Sequence, residues 1–179
     1  MNSKSGLILT LCMALFLTAC GPKKTPEAPV AVDDGADATN GLGYDPETGN
    51  QWGIPGFTQG DLDRLGFTEN PLNFRVVYFE YNSSSVNERS RAIIAAHAHS
   101  LNQTGGAQVS LEGHADERGT RDYNLALGER RAQEVSRLMQ AGGAGSSSIQ
   151  TISYGEERPA DTGHNDAAWQ KNRRVAINY

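Results

Sequence analysis

The sequence predicts an α/β fold, a two-layer sandwich of about four strands with helices on one face, and three observations lead there. Strand-like and helix-like stretches alternate after residue 70. The two cysteines, Cys12 and Cys20, both fall in the first twenty residues, so the rest of the chain has neither a disulfide nor a thiolate metal site to hold it. The alternating region, about 105 residues, is long enough to bury a core unaided.

Each element has its own signal. Residues 74–81, FRVVYFEY, are rich in β-branched and aromatic side chains and read as a strand. Ser85 with Glu88 fits a capping box, and Ile93, Ile94, His97 and Leu101 then follow at helical spacing. On that apolar side His97 reads as a packed core histidine. Thr104, Gly105 and Gly106 stop the helix, after which Val109 and Leu111 alternate as in a half-buried strand. A second helix spans residues 122–141 up to the breaker GGAGSSS, and residues 149–154 form a third strand. A short helix over 166–171 precedes a closing strand over 173–179, in which Val175, Ile177 and Tyr179 alternate.

The front of the chain divides differently. Residues 1–19 carry Lys4 and then an apolar run too short to span a bilayer, the layout of a secretory signal peptide. Leu17-Thr18-Ala19-Cys20 is similar to the lipobox of bacterial lipoproteins. That resemblance implies diacylglycerol on the Cys20 sulfur and a fatty acyl chain such as palmitate on its amino group, several chains being needed for stable anchoring. Gly21, where sorting to the inner membrane would use Asp, implies the outer membrane, with the domain facing the periplasm. Residues 20–70 are Pro-, Gly- and Asp-rich without a sustained apolar period and read as a flexible acidic tether reaching roughly 40 Å as a coil, although Trp52, Ile54, Phe57, Leu62, Leu65 and Phe67 are apolar enough to dock on a neighbouring surface and the sequence leaves that open. Asp33, Asp34 and Asp37 fail the spacing of a calcium loop and read as solvated acids. Residues 71–179 are the domain.

The net charge is −5, and the tether supplies it: residues 20–70 hold three Lys or Arg against nine Asp or Glu, whereas residues 71–179 hold twelve of each. A neutral domain with no basic stripe offers no electrostatic footprint for nucleic acid.

The chemistry concentrates in residues 113–132, GHADERGTRDYNLALGERRA. On the helix that follows the loop, Leu125, Gly128, Ala132, Val135 and Met139 gather into one apolar stripe. Arg131 lies roughly 80° from its centre and Arg130 roughly 180°, which predicts Arg131 at the core edge and Arg130 in water. An arginine held at such an edge presents a fixed fork for a carboxylate, and Asp116 in the preceding loop supplies the opposite charge for an ammonium. Two readings stay open: Asp116 and Arg131 as the halves of a site for a zwitterion, or as a structural ion pair with each other.

GHADERGT, the spacing of Asn124, Leu127, Gly128, Arg131, Ala132 and Val135, then SYGEERP and KNRR, together resemble the OmpA-like peptidoglycan-binding domain family over residues 76–179. The resemblance implies that Asp116 and Arg131 bind meso-diaminopimelate of the peptidoglycan stem peptide, whose side chain ends in an ammonium and a carboxylate on one carbon. It also assigns Arg118, Leu127, Tyr81 and Asn82 to that site, with Asn82 standing where the family pattern usually has Asp. It implies no cofactor, no metal and no catalysis. For lipid-anchored members it implies the partners TolB and TolA, in a system that supports envelope integrity and draws the outer membrane inward at cell division.

Two rivals remain. His114 and Asp116, with His97, His99 or His164, could begin the metal set of a periplasmic hydrolase, but HExxH, GxSxG and a ligating cysteine are all missing. The domain could also anchor protein partners alone, with Arg173 and Arg174 either forming that contact or closing the fold as a charge pair.

Overall fold

A computed structural model of the chain describes residues 49–179. The signal-peptide reading, Cys20 and most of the tether lie outside those residues. In chain order the elements are helix α1 (Gln59–Arg64), a 3-10 turn (Pro71–Asn73), strand β1 (Val76–Tyr78), α2 (Glu88–Gln103), β2 (Val109–His114), α3 (Arg121–Ala141), a second 3-10 turn (Ser146–Ser148), β3 (Ile149–Gly155), α4 (Asp166–Asn172) and β4 (Arg174–Asn178).

The sheet runs β1-β4-β2-β3. β4 lies antiparallel between β1 and β2, while β2 and β3 pair in parallel across the α3 crossover. One face carries Val77, Val109, Leu111, Val175 and Ile177, all buried beneath α2 and α3. The opposite face is half-buried, with Val76, Ala176, Glu112 and Ile152 in one row across the four strands. This is the expected two-layer arrangement.

Four local expectations are corrected. The first strand is Val76–Tyr78 and not the whole of 74–81, because the chain leaves the sheet at Glu80 and turns at Asn82, whose φ is +50°. Asn tolerates that left-handed geometry better than most residues do. The α2 cap is Asn87, whose side chain accepts from the Ser90 amide at 2.8 Å, so the Ser85 and Glu88 capping box does not form. Leu125 is 39% exposed, so it falls off the buried stripe of α3. That stripe includes the polar residues Asn124, Arg131 and Ser136, which a count of apolar positions alone misses.

The fourth correction concerns the tether, whose last residues are folded. Ile54, Leu62 and Phe67 are buried in the common core, with Trp52, Phe57 and Leu65 packed beside them. Arg89 of α2 secures the segment: it donates to the Leu65 carbonyl, and its guanidinium lies 4.1 Å from the Phe67 ring centroid. Arg64 also pairs with Glu88 at 2.8 Å. The apolar residues here are too irregularly spaced to show a helical or strand period, but each fills the core singly.

Candidate functional site

Close approach of α3 to β2 builds the site. A Cβ on Gly113 would stand 2.0 Å from the Gly128 carbonyl oxygen, and one on Gly128 would stand 2.4 Å from Ser153 Oγ. Only glycine at both positions lets the helix lie this near the strand. The contact brings the side chains one turn along α3 to the end of β2, where the Asp116 loop begins.

There a small concavity is lined by Tyr81, Asn82, Asp116, Arg118, Tyr123, Asn124, Leu127, Arg131 and Arg173. All six residues expected from the sequence therefore meet at one place. Tyr123, Asn124 and Arg173 join them. Tyr123 sits one turn before Leu127 and donates its hydroxyl hydrogen bond to Asn82 Oδ1, which holds the left-handed turn against the helix. Arg173 is visible in the sequence within KNRR, where its neighbourhood suggests a partner contact or a fold-closing pair and gives no sign of Asp116.

Asp116 is 4% exposed and is held by two cations. Arg118 grips it at both ends, with Nη2 to Oδ2 at 2.7 Å and Nε to Oδ1 at 3.3 Å, and the Arg118 amide adds a 3.1 Å bond. Arg173 Nη1 donates to Oδ2 at 3.1 Å and its Nε to the Phe79 carbonyl at 3.1 Å. Burial alone would raise the Asp116 carboxyl, but the bonds from Arg118 and Arg173 outweigh it and hold the group below its ordinary range.

Arg131 does not pair with Asp116, which removes the structural ion-pair reading. Nor does it sit at the core edge, for it is 0% exposed. Its guanidinium donates to three backbone carbonyls: Glu80 at 3.0 Å, Ser83 at 2.8 Å and His114 at 2.7 Å. It thus ties the turn after β1 to the end of β2 and forms the floor of the pocket. Burial pulls its guanidinium down to about 10, an effect that Asp116 opposes and Arg173 reinforces; it stays charged at neutral pH. Arg130 is exposed, as its position on the helix requires.

Arg118 is the accessible cation of the site, its side chain 32% exposed. Three guanidinium groups and one carboxylate among the lining residues leave the pocket with a surplus of positive charge. That surplus favours a ligand bearing carboxylate.

The histidines do not converge. His97 is buried between the Tyr179 hydroxyl at 2.8 Å and the Phe74 carbonyl at 3.0 Å, a core role. His114 is buried against Tyr154 with neither ring nitrogen partnered, and burial with nearby Arg174 and Arg158 lowers it to about 4. His164 bonds Glu117 at 2.7 Å. Among the described residues no group of three His, Cys, Asp or Glu is placed to hold a metal ion, and no helix is long and apolar enough to cross a membrane.

Comparison with known proteins places this geometry. The OmpA family model matches residues 78–173. A peptidoglycan-associated lipoprotein of Pseudomonas aeruginosa is 40% identical over 146 residues, 81% of this chain and 83% of that one. One from Legionella pneumophila is 36% identical, covering 96% of this chain and 92% of its own. The crystal structure of the peptidoglycan-associated lipoprotein from Burkholderia pseudomallei superposes with a TM-score of 0.60 at 38% identity, over 64% of this chain and 98% of that one. On the family match over residues 78–173 and these identities and coverages, the chain belongs to the OmpA family, among the peptidoglycan-associated lipoproteins.

Proposed function

We propose that this protein is a non-catalytic envelope tether: its domain binds uncrosslinked peptidoglycan stem peptide through meso-diaminopimelate, and lipid on Cys20 holds it in the outer membrane. The observation that carries the binding half is the pocket itself, in which a buried carboxylate stands among three guanidinium groups. A ligand end with an ammonium and a carboxylate on one carbon matches it. The ammonium goes to Asp116 by displacing or sharing the Arg118 bond, and the carboxylate goes to the field of Arg118, Arg131 and Arg173. Leu127 and Tyr81 contact the apolar part of the ligand, and Asn82 offers an amide where an acid would add charge. The relatives are named peptidoglycan-associated lipoproteins, which supports peptidoglycan as the polymer that is bound.

In this reading TolB and TolA are its protein partners, and tethering supports envelope integrity and invagination at division. The test is co-sedimentation with purified sacculi. Wild type should pellet, and Asp116→Ala and Arg118→Ala should stay in solution while keeping a folded circular dichroism spectrum; undiminished pelleting of these variants overturns the assignment. Cys20→Ser should move the protein from membrane to soluble fraction, and an unchanged distribution overturns the anchor.

A further inference from the structure

Arg118 makes the outer contact to Asp116, and something must keep so exposed a side chain in place. A free arginine samples many rotamers, and fixing it costs entropy. Here its guanidinium carbon lies 4.1 Å from the Tyr81 ring centroid and 4.1 Å from the Trp169 ring centroid. The cation thus contacts two aromatic faces, each attractive to it. Tyr81 is 58% exposed on a turn, so it is the weaker wall.

Trp169 is the anchored wall. It sits on α4, capped by Asn165, whose side chain accepts from the Ala168 amide at 3.0 Å. Asn172 of the same helix accepts from the Ala160 and Asp161 amides and donates to the Asp161 carbonyl, tying α4 to the loop before it. Trp169 Nε1 donates to Glu117 at 2.8 Å, and Glu117 is fixed in turn by His164. Trp169 does not line the pocket. Its reach to the site is through Arg118.

We infer that Trp169 is a positioning residue of the binding pocket, holding the Arg118 guanidinium against Asp116 together with the Tyr81 ring. This rests on the pocket being the stem-peptide site. The ligand then meets a cation already fixed in direction, and the Trp169 ring is what fixes it.

The experiment has two readouts on the full folded domain. In the ligand-free protein, the Arg118 Nε–H NMR resonance should be narrow and shifted by the ring current in wild type and in Trp169→Phe, and should collapse toward random-coil position in Trp169→Leu. In titration with a soluble muropeptide carrying meso-diaminopimelate, Trp169→Phe should bind within about threefold of wild type and Trp169→Leu about tenfold more weakly. In an Arg118→Ala background, Trp169→Leu should cost nothing further. Three results overturn the inference: an unmoved Arg118 resonance in Trp169→Leu, equal losses for the Phe and Leu variants, or the same loss in both backgrounds. If instead Asp116→Ala binds the muropeptide as well as wild type does, it is the pocket assignment that fails, and the resonance still reports on the clamp.

Discussion

The segment over residues 50–67 and the pocket over residues 113–131 join the same domain by opposite means. The segment is held by apolar side chains that enter the core singly, Ile54, Leu62 and Phe67, with surface ion pairs added at Arg64. The pocket is held by buried charge, with Asp116 between Arg118 and Arg173, and Arg131 spanning three carbonyls. Apolar burial tolerates irregular spacing, because any side chain that reaches the core contributes. Buried charge does not, since every donor and acceptor needs a partner in place. The segment is therefore illegible as a pattern but adaptable, while the pocket is legible as a motif and intolerant of change.

The largest effect should come from the pocket floor. Replacing Arg131 with Met keeps the volume but removes the three-pronged donor that ties the Glu80, Ser83 and His114 carbonyls together, the His114 bond being fully buried, and should cost about 3–5 kcal/mol in urea unfolding. A loss below about 1 kcal/mol would mean the floor is not built on that side chain. In the segment, Leu62→Ala removes a fully buried side chain and should cost about 2–4 kcal/mol while leaving muropeptide affinity unchanged. Affinity falling in step with stability would erase the distinction between the two regions.

Acid should act on the pocket side. The folded His114 imidazole lies near 4, below its ordinary 6.5, so the unfolded chain binds more protons between those values. The stability this represents is complete above about pH 6.5 and is lost as pH falls toward 4. The lowered Asp116 carboxyl adds a further loss below its unfolded value of about 3.9. Urea midpoints of His114→Phe should be flatter than wild type across pH 4–6.5, and parallel profiles would remove His114 from the account. The smallest effect belongs to the exposed Arg64–Glu88 pair, where Arg64→Ala should leave the urea midpoint indistinguishable from wild type.

The fold was legible in the sequence wherever its period was clean: the strand residues Val109 and Leu111, the long α3, and the alternation of Val175 with Ile177 all stand where the pattern puts them. The position of the site was legible too, because GHADERGT and the α3 spacing lie in one continuous stretch. What Arg131 binds was not, since its partners at Glu80, Ser83 and His114 are backbone groups that carry no residue signature, two of them about fifty residues away. Arg173 was seen without its role for the same reason, its carboxylate partner lying 57 residues away. The sequence leaves the docking of residues 50–67 open because isolated apolar residues in a Gly- and Pro-rich stretch look alike whether they dock or not.

Asp116 is where these threads meet, and Asp116→Asn tests the central claim most directly because it keeps the shape and removes only the charge. Titrated with a muropeptide carrying meso-diaminopimelate, the folded variant should lose at least about thirtyfold in affinity, as expected when one partner of a buried charge pair is taken away. Wild-type affinity in a folded Asp116→Asn protein would contradict the account.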